Sequence, residues 1–130
     1  LVEKNDRTII RAVNKLSDTN ILHICGNRGA RNNLAWFSHY ENSVINWSTD
    51  VEGIPLEKGK KIFPNKVVLG GLGNTNKDVL YQGNHDEIVG EVNRLIEKAG
   101  TENVILGANC TVPRDISIQH FQWAVHAVAD

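Results

Sequence analysis

Short apolar runs alternate with longer amphipathic stretches along the whole chain. The clearest amphipathic stretch places Ile88, Val92 and Leu95 on one face at helical spacing and ends at Gly100. Runs such as Ile21–Cys25 are short, mostly apolar and followed by glycine or polar residues, which is typical of buried strands. The pattern predicts strands at 21–25, 44–48, 66–69 and 104–107, and helices at 4–16, 32–40, 54–63, 86–99 and 117–129.

The predicted order is one helix followed by four strand–helix units. Such alternation favours parallel βαβ units with right-handed crossovers, and therefore an α/β fold. Four units form either a small open sheet or half of a (β/α)8 barrel, which typically needs about 250 residues. Periodicity alone leaves both open. Residues 1–130 show no linker or composition shift and are interpreted as one partial domain.

Composition and charge limit the binding partners and the cellular compartment that we expect for this protein. The formal net charge is −1, which gives no electrostatic footprint for nucleic acid. No apolar run is long enough for a membrane span, and the first residues are mixed and charged rather than a signal peptide, so a cytoplasmic location is expected. The chain starts without Met inside a helix-like stretch, so it is interpreted as a truncated piece.

Three residues near predicted strand ends form a candidate metal site. His23 and Cys25 are two positions apart and share one face of a strand, and Cys110 follows the last strand at the same end of the sheet. One imidazole and two thiolates suit zinc, with a fourth position left for water or substrate. The alternative is that the cysteines are inert small hydrophobes and that His23 is a satisfied core residue.

Asp50 and Asn74 follow the second and third strands and are the candidate catalytic residues, although Asp50 equally suits a helix cap. Asp115 is likewise a candidate acid or base that equally suits a helix cap. The run Gly70–Gly73 lacks the Lys-Ser/Thr ending of a P-loop, which favours a tight turn at a sheet rim. The cluster Lys58–Lys61 is interpreted as a solvated helix face. The remaining histidines are interpreted as packing or exposed residues: His39, His85, His120 and His126.

The segment Ile21–Asn27 resembles the uroporphyrinogen decarboxylase superfamily, in particular its methylcobalamin:coenzyme M methyltransferase branch, which carries a His-x-Cys … Cys zinc motif. The segments Val44–Ser48, Lys66–Asn74 and Ile105–Pro113 resemble later parts of the same family in the same order. The resemblance implies that the chain is the C-terminal half of a (β/α)8 barrel. It also implies that His23, Cys25 and Cys110 bind Zn²⁺, and that the chemistry is methyl transfer between a corrinoid protein and a small thiol.

The other branch of the superfamily decarboxylates uroporphyrinogen, a tetrapyrrole of porphyrin biosynthesis, without a cofactor. Its Gly-His-Gly loop is replaced here by Gly107–Cys110, and its Gly-Asn-x-Asp-Pro loop by Gly73–Lys77. Both departures weigh against this lyase activity, which stays the alternative. Because half a barrel leaves edge strands and apolar surface uncovered, we expect pairing with the missing N-terminal half or with a second copy. We also expect the isolated chain to be inactive.

Overall fold

The computed structural model describes residues 2–26 and 30–129, and it contains one helix followed by strands and helices in alternation. This confirms the predicted α/β order. The strands are β1 (Ile21–Ile24), β2 (Val44–Trp47), β3 (Val67–Leu72) and β4 (Val104–Ala108). The α-helices are α1 (Glu3–Val13), α2 (Thr49–Glu52), α3 (Leu56–Ile62), α4 (Val79–Gln82), α5 (His85–Ala99) and α6 (Ile118–Ala129), and a 3-10 helix spans Leu34–Phe37.

The four strands form one parallel sheet in the order β1-β2-β3-β4. The register places His23 beside Asn46, and Asn46 beside Leu69. Because sequential neighbours pair in parallel, each connection must cross over the sheet, and the helices provide these crossovers. The arrangement is consistent with part of a (β/α)8 barrel. Within the described residues, no helix combines the length and the apolar character that a bilayer crossing requires.

The hydrophobic core lies between the sheet and the helices. One buried cluster centres on Trp47, which contacts Phe63 with ring centroids 5.8 Å apart and donates its indole N–H to the Ile54 carbonyl at 2.8 Å. A Cβ at Gly59 of α3 would lie 2.1 Å from the Trp47 ring, so only glycine lets α3 approach it. A second cluster packs α5 and α6 against the end of β3: Leu72, Leu80, Ile88, Val92, Leu95 and Ala124.

The longest helix, α5, begins at a capping box. The Asn84 side chain accepts from the Glu87 backbone N–H at 3.0 Å, and the Glu87 carboxylate accepts from the Asn84 backbone N–H at 2.8 Å. This satisfies two N–H groups that have no intrahelical partner. At the other end, Lys60 Nζ donates to the Ala99 and Glu102 carbonyls at 2.8 Å each. Lys60 therefore contacts the end of α5, which corrects the prediction of a purely solvated face.

Several elements differ from the prediction. The helix predicted at 32–40 is only the 3-10 helix Leu34–Phe37, and α1 ends at Val13 and not at residue 16. The helix predicted at 54–63 is preceded by a separate turn, α2, because Gly53 adopts φ 67° and ends it before Pro55. The four residues of α4 were not predicted, because so short a helix shows no periodicity. The helical spacing of α6 predicts Ile118, Val125 and Val128 as positions of its apolar face, but these side chains are exposed and Ala124 is the buried residue.

Most of the glycine run Gly70–Gly73 lies within the third strand, and Gly73 follows it. β3 extends to Leu72, with Gly70 at φ 139° and Gly71 at φ 101°. The positive φ angles agree with the glycine requirement predicted from the sequence, but they occur inside the strand and not in a rim turn. A Cβ at Gly70 would lie 3.1 Å from Asn109 Oδ1 and 3.3 Å from Asn46 Nδ2. The glycine therefore leaves room for two buried amides beneath the candidate site.

Candidate metal centre

The C-terminal ends of β1 and β4 bring three potential metal ligands together. The ligand atoms of His23, Cys25 and Cys110 all lie within 4.8 Å of one another. Cys110 Sγ is 3.4 Å from His23 Nε2. The two-residue spacing on β1 and the loop after β4 place the side chains as the sequence predicted. Whether they bind a metal stays a prediction.

The loop that carries Cys25 is fixed against α2. Glu52 is buried, and its carboxylate accepts from the backbone N–H and the side-chain amide of Asn32, each at 2.7 Å. The Asn32 amide also donates to the Cys25 carbonyl at 3.4 Å. A Cβ at Gly26 would lie 2.6 Å from Val51 Cγ1, so the backbone beside Cys25 approaches α2 closely. Asn27, part of the segment that carries the family resemblance, lies outside the described residues.

Asn109 anchors the loop that carries Cys110. Its side chain is fully buried, and Oδ1 accepts from the Gly71 backbone N–H at 2.8 Å. Its Nδ2 donates to Thr49 Oγ1 at 2.8 Å and to Asp50 Oδ2 at 3.0 Å. These hydrogen bonds fix the position of Asn109, and therefore of the backbone that leads into Cys110. A single asparagine after a strand has no distinctive sequence signature, so the sequence does not predict this role of Asn109.

Asn46 contacts His23 from the neighbouring strand. It is 6% exposed, and its Oδ1 meets His23 Nδ1. Its Nδ2 donates to the Leu69 carbonyl at 2.8 Å. The sequence predicts only that Asn46 lies within a strand. The strand register would have been the signal, because it puts Asn46 directly beside His23.

The two sulfur atoms influence each other. The pKa of the Cys25 thiol is raised above its ordinary value, because its side chain is hydrogen-bonded to Cys110 and because a nearby thiolate would repel a second negative charge. Cys25 is exposed, and Cys110 is half-buried. Two adjacent thiolates are therefore unfavourable without a cation between them, and a bound divalent cation would reverse this preference.

A cavity of about 210 Å³ opens beside His23 and Cys110. Asp50 and Asn74, the two predicted catalytic residues, both line it. The Asn74 amide donates to the Thr111 carbonyl at 3.0 Å, so it links the loops after β3 and β4. Asp50 is exposed and accepts the Asn109 hydrogen bond described above. The structure thus places both residues at the candidate site, and their catalytic role stays a prediction.

The other polar candidates are engaged elsewhere. Asp115 accepts a hydrogen bond from the Tyr81 hydroxyl at 2.9 Å. His120 stacks on Trp123 with centroids 5.1 Å apart and contacts the Leu80 carbonyl through Nδ1 at 2.9 Å. Within the described ranges, no fourth His, Cys, Asp or Glu joins the three clustered ligands. The candidate chemistry is therefore concentrated at one end of the sheet.

Comparison with known proteins assigns the chain to a family. No curated protein matches the chain. The family model described as Uroporphyrinogen decarboxylase (URO-D) matches residues 4–130, which is nearly the whole sequence. The match spans all four strands and all three clustered ligands. The chain belongs to the uroporphyrinogen decarboxylase family.

Proposed function

We propose that this chain carries the metal-binding part of an enzyme that methylates a thiol. The observation that supports this most directly is the cluster of three ligand atoms within 4.8 Å. A family-level match alone is equally compatible with decarboxylation and with methyl transfer. The three candidate ligands, one imidazole and two thiols, are the reason that we propose methyl transfer and not decarboxylation.

The donor set suits zinc. One imidazole nitrogen and two thiolates form a three-ligand site of the kind in which catalytic zinc keeps one position open. Soft thiolate ligands also discriminate against Mg²⁺ and Ca²⁺, which prefer oxygen. His23 and Cys25 are exposed, so a substrate could reach a metal held by these residues.

The five candidate residues have two roles in this proposal: three bind the metal and two contact the acceptor. His23, Cys25 and Cys110 hold Zn²⁺, which when bound lowers the pKa of a coordinated thiol and keeps it as a thiolate near neutral pH. Asp50 and Asn74 line the adjoining cavity and orient the polar part of the acceptor by hydrogen bonding. The acceptor in this proposal is a small thiol, as the family resemblance implies.

The methyl donor in this proposal is a methylated corrinoid held by a partner protein, as the family resemblance implies. The acceptor thiolate forms the new sulfur–carbon bond while the cobalt–carbon bond breaks and its electron pair stays on cobalt. The thiol proton leaves to solvent when the thiolate forms. The remaining strands of a closed barrel would complete the pocket around the donor.

Decarboxylation of a tetrapyrrole is the second candidate, and the family match favours it as much as methyl transfer. Uroporphyrinogen carries many carboxylates and needs cationic partners. Among the described residues, the lining of the cavity beside Cys110 contributes Asp50 and Asp78 and no Lys or Arg. This acidic lining favours the thiol over the tetrapyrrole for this part of the barrel.

The test is the zinc content of protein purified without chelator and then supplied with Zn²⁺. We expect about one zinc per chain, and a large loss in Cys110→Ser, because a hydroxyl is a much weaker zinc ligand than a thiolate. His85→Gln is the matched control: His85 is exposed and lies outside the three-ligand cluster, so its zinc content should be unchanged. Protein that stays free of zinc, or equal zinc in Cys110→Ser, would contradict the proposal.

A further inference from the structure

Asn46 is a buried polar residue that the proposed zinc ligand set does not use. It lies in β2, directly beside His23 of β1 and Leu69 of β3 in the strand register. Its side chain faces the candidate site and is 6% exposed. A buried amide must have its hydrogen bonds satisfied, so its orientation is determined by its neighbours.

The orientation of the Asn46 amide is set by backbone carbonyls. Nδ2 donates to the Leu69 carbonyl at 2.8 Å and approaches the Ala108 carbonyl at 3.5 Å. A carbonyl oxygen accepts and cannot donate, so the NH₂ group must point toward these two atoms. The amide oxygen Oδ1 therefore points toward His23 Nδ1.

This orientation selects one tautomer of His23. Because Oδ1 only accepts, His23 Nδ1 must carry the hydrogen, and the neutral imidazole then has its lone pair on Nε2. Nε2 is the nitrogen that lies 3.4 Å from Cys110 Sγ. The nitrogen that faces the thiols is thus the one able to bind a metal.

We propose that Asn46 is a positioning residue that holds His23 as the Nδ1–H tautomer, so that Nε2 is ready to bind a metal before any metal arrives. The inference about metal affinity rests on the proposed zinc site, whereas the inference about the tautomer does not. The sheet supports this role directly, because the partners of Asn46 are backbone atoms of β3 and β4 that cannot rotate away. Gly70 leaves the space that the amide needs.

The tautomer is measured in metal-free protein by the ¹⁵N chemical shifts of the His23 ring, which distinguish protonated from unprotonated nitrogens. We expect the Nδ1–H form in the native protein. In Asn46→Leu the acceptor is gone, so we expect the Nε2–H form to gain population and zinc affinity to fall by about 10–100-fold. Zinc affinity is measured by competition with a chromophoric chelator.

Two further variants separate this role from a general effect on folding. Asn46→Asp keeps an acceptor for Nδ1–H while it loses the donor to Leu69, so it should keep the native tautomer even where stability falls. Asn42→Leu is the matched control, because Asn42 is also buried and lies just before β2, but contacts the Val44 carbonyl and not His23. It should change neither the tautomer nor the zinc affinity.

The role of Asn46 and the proposed zinc site are each contradicted by a different result. An Nε2–H imidazole in the native protein, or an unchanged tautomer in a folded Asn46→Leu, would overturn the role of Asn46. If Asn46→Leu does not fold, loss of the Nδ1–H form in Asn46→Asp would overturn it instead. A protein with the expected tautomers but no zinc affinity would remove the proposed function and leave the tautomer assignment standing.

Discussion

Cys25 and Cys110 connect metal binding to pH. The raised pKa of Cys25 means that this thiol keeps its proton to higher pH than an isolated cysteine. A metal binds the thiolate, so metal and proton compete for the same sulfur. The proton of Cys25 must therefore leave when a metal binds its sulfur.

We accordingly predict that zinc affinity falls as pH falls through the neutral range. The loss should be about tenfold per pH unit for each proton released on binding. Chelator competition at several pH values measures the slope, and titration in buffers of different ionisation enthalpy counts the protons. Cys25→Ser should give a shallower slope, because one thiol proton no longer takes part. A flat pH profile in the native protein would contradict this prediction.

The residues of the candidate site differ in how far the sequence predicts them. His23, Cys25 and Cys110 could be predicted, because strand parity and the common end of parallel strands bring them together. Asn46 and Asn109 could not be assigned a role, because hydrogen bonds between distant segments decide what a buried amide does. Asn109, for example, contacts the Gly71 backbone and the Thr49 side chain, far away in the sequence.

At the scale of elements, α5 shows why some boundaries are predictable. Its apolar spacing, its Asn84 cap and its terminal Gly100 agree with one another, and the helix forms within one residue of the prediction. The region 49–63 lacks this agreement: one glycine in the left-handed region and one proline divide it into α2 and α3. Within α3, the close approach of Gly59 to Trp47 is a tertiary contact that the local sequence pattern does not show.

The capping box of α5 gives a stability prediction. Asn84→Ala removes the side-chain acceptor for the Glu87 N–H, and we expect a loss of about 1 kcal/mol in the free energy of unfolding. Urea denaturation followed by circular dichroism measures it. Asn93→Ala is the matched control, because Asn93 is exposed in the interior of the same helix, where alanine has the higher helix propensity. It should cause no loss, and an equal loss in both variants would rule out the capping explanation.

At the scale of the whole molecule, the sheet has a helix-covered face and a second, less covered one. Leu22, Val104 and Leu106 pack against the core on the covered face. Their neighbours Ile21 on β1 and Ile105 on β4 project to the other face and are 59% and 44% exposed. β1 and β4 are also the edge strands of the described sheet. Exposed apolar residues beside edge strands favour association with further strands.

We therefore predict that this chain by itself self-associates and that a protein supplying complementary βα units reverses the self-association. Analytical ultracentrifugation over a range of concentrations measures both. Ile105→Lys should weaken self-association, because it places a charge on the uncovered face next to an edge strand. Leu16→Lys is the control: Leu16 is 89% exposed and follows α1, outside the sheet. A monomer at all concentrations, or equal effects of the two lysines, would mean that the uncovered face does not drive assembly.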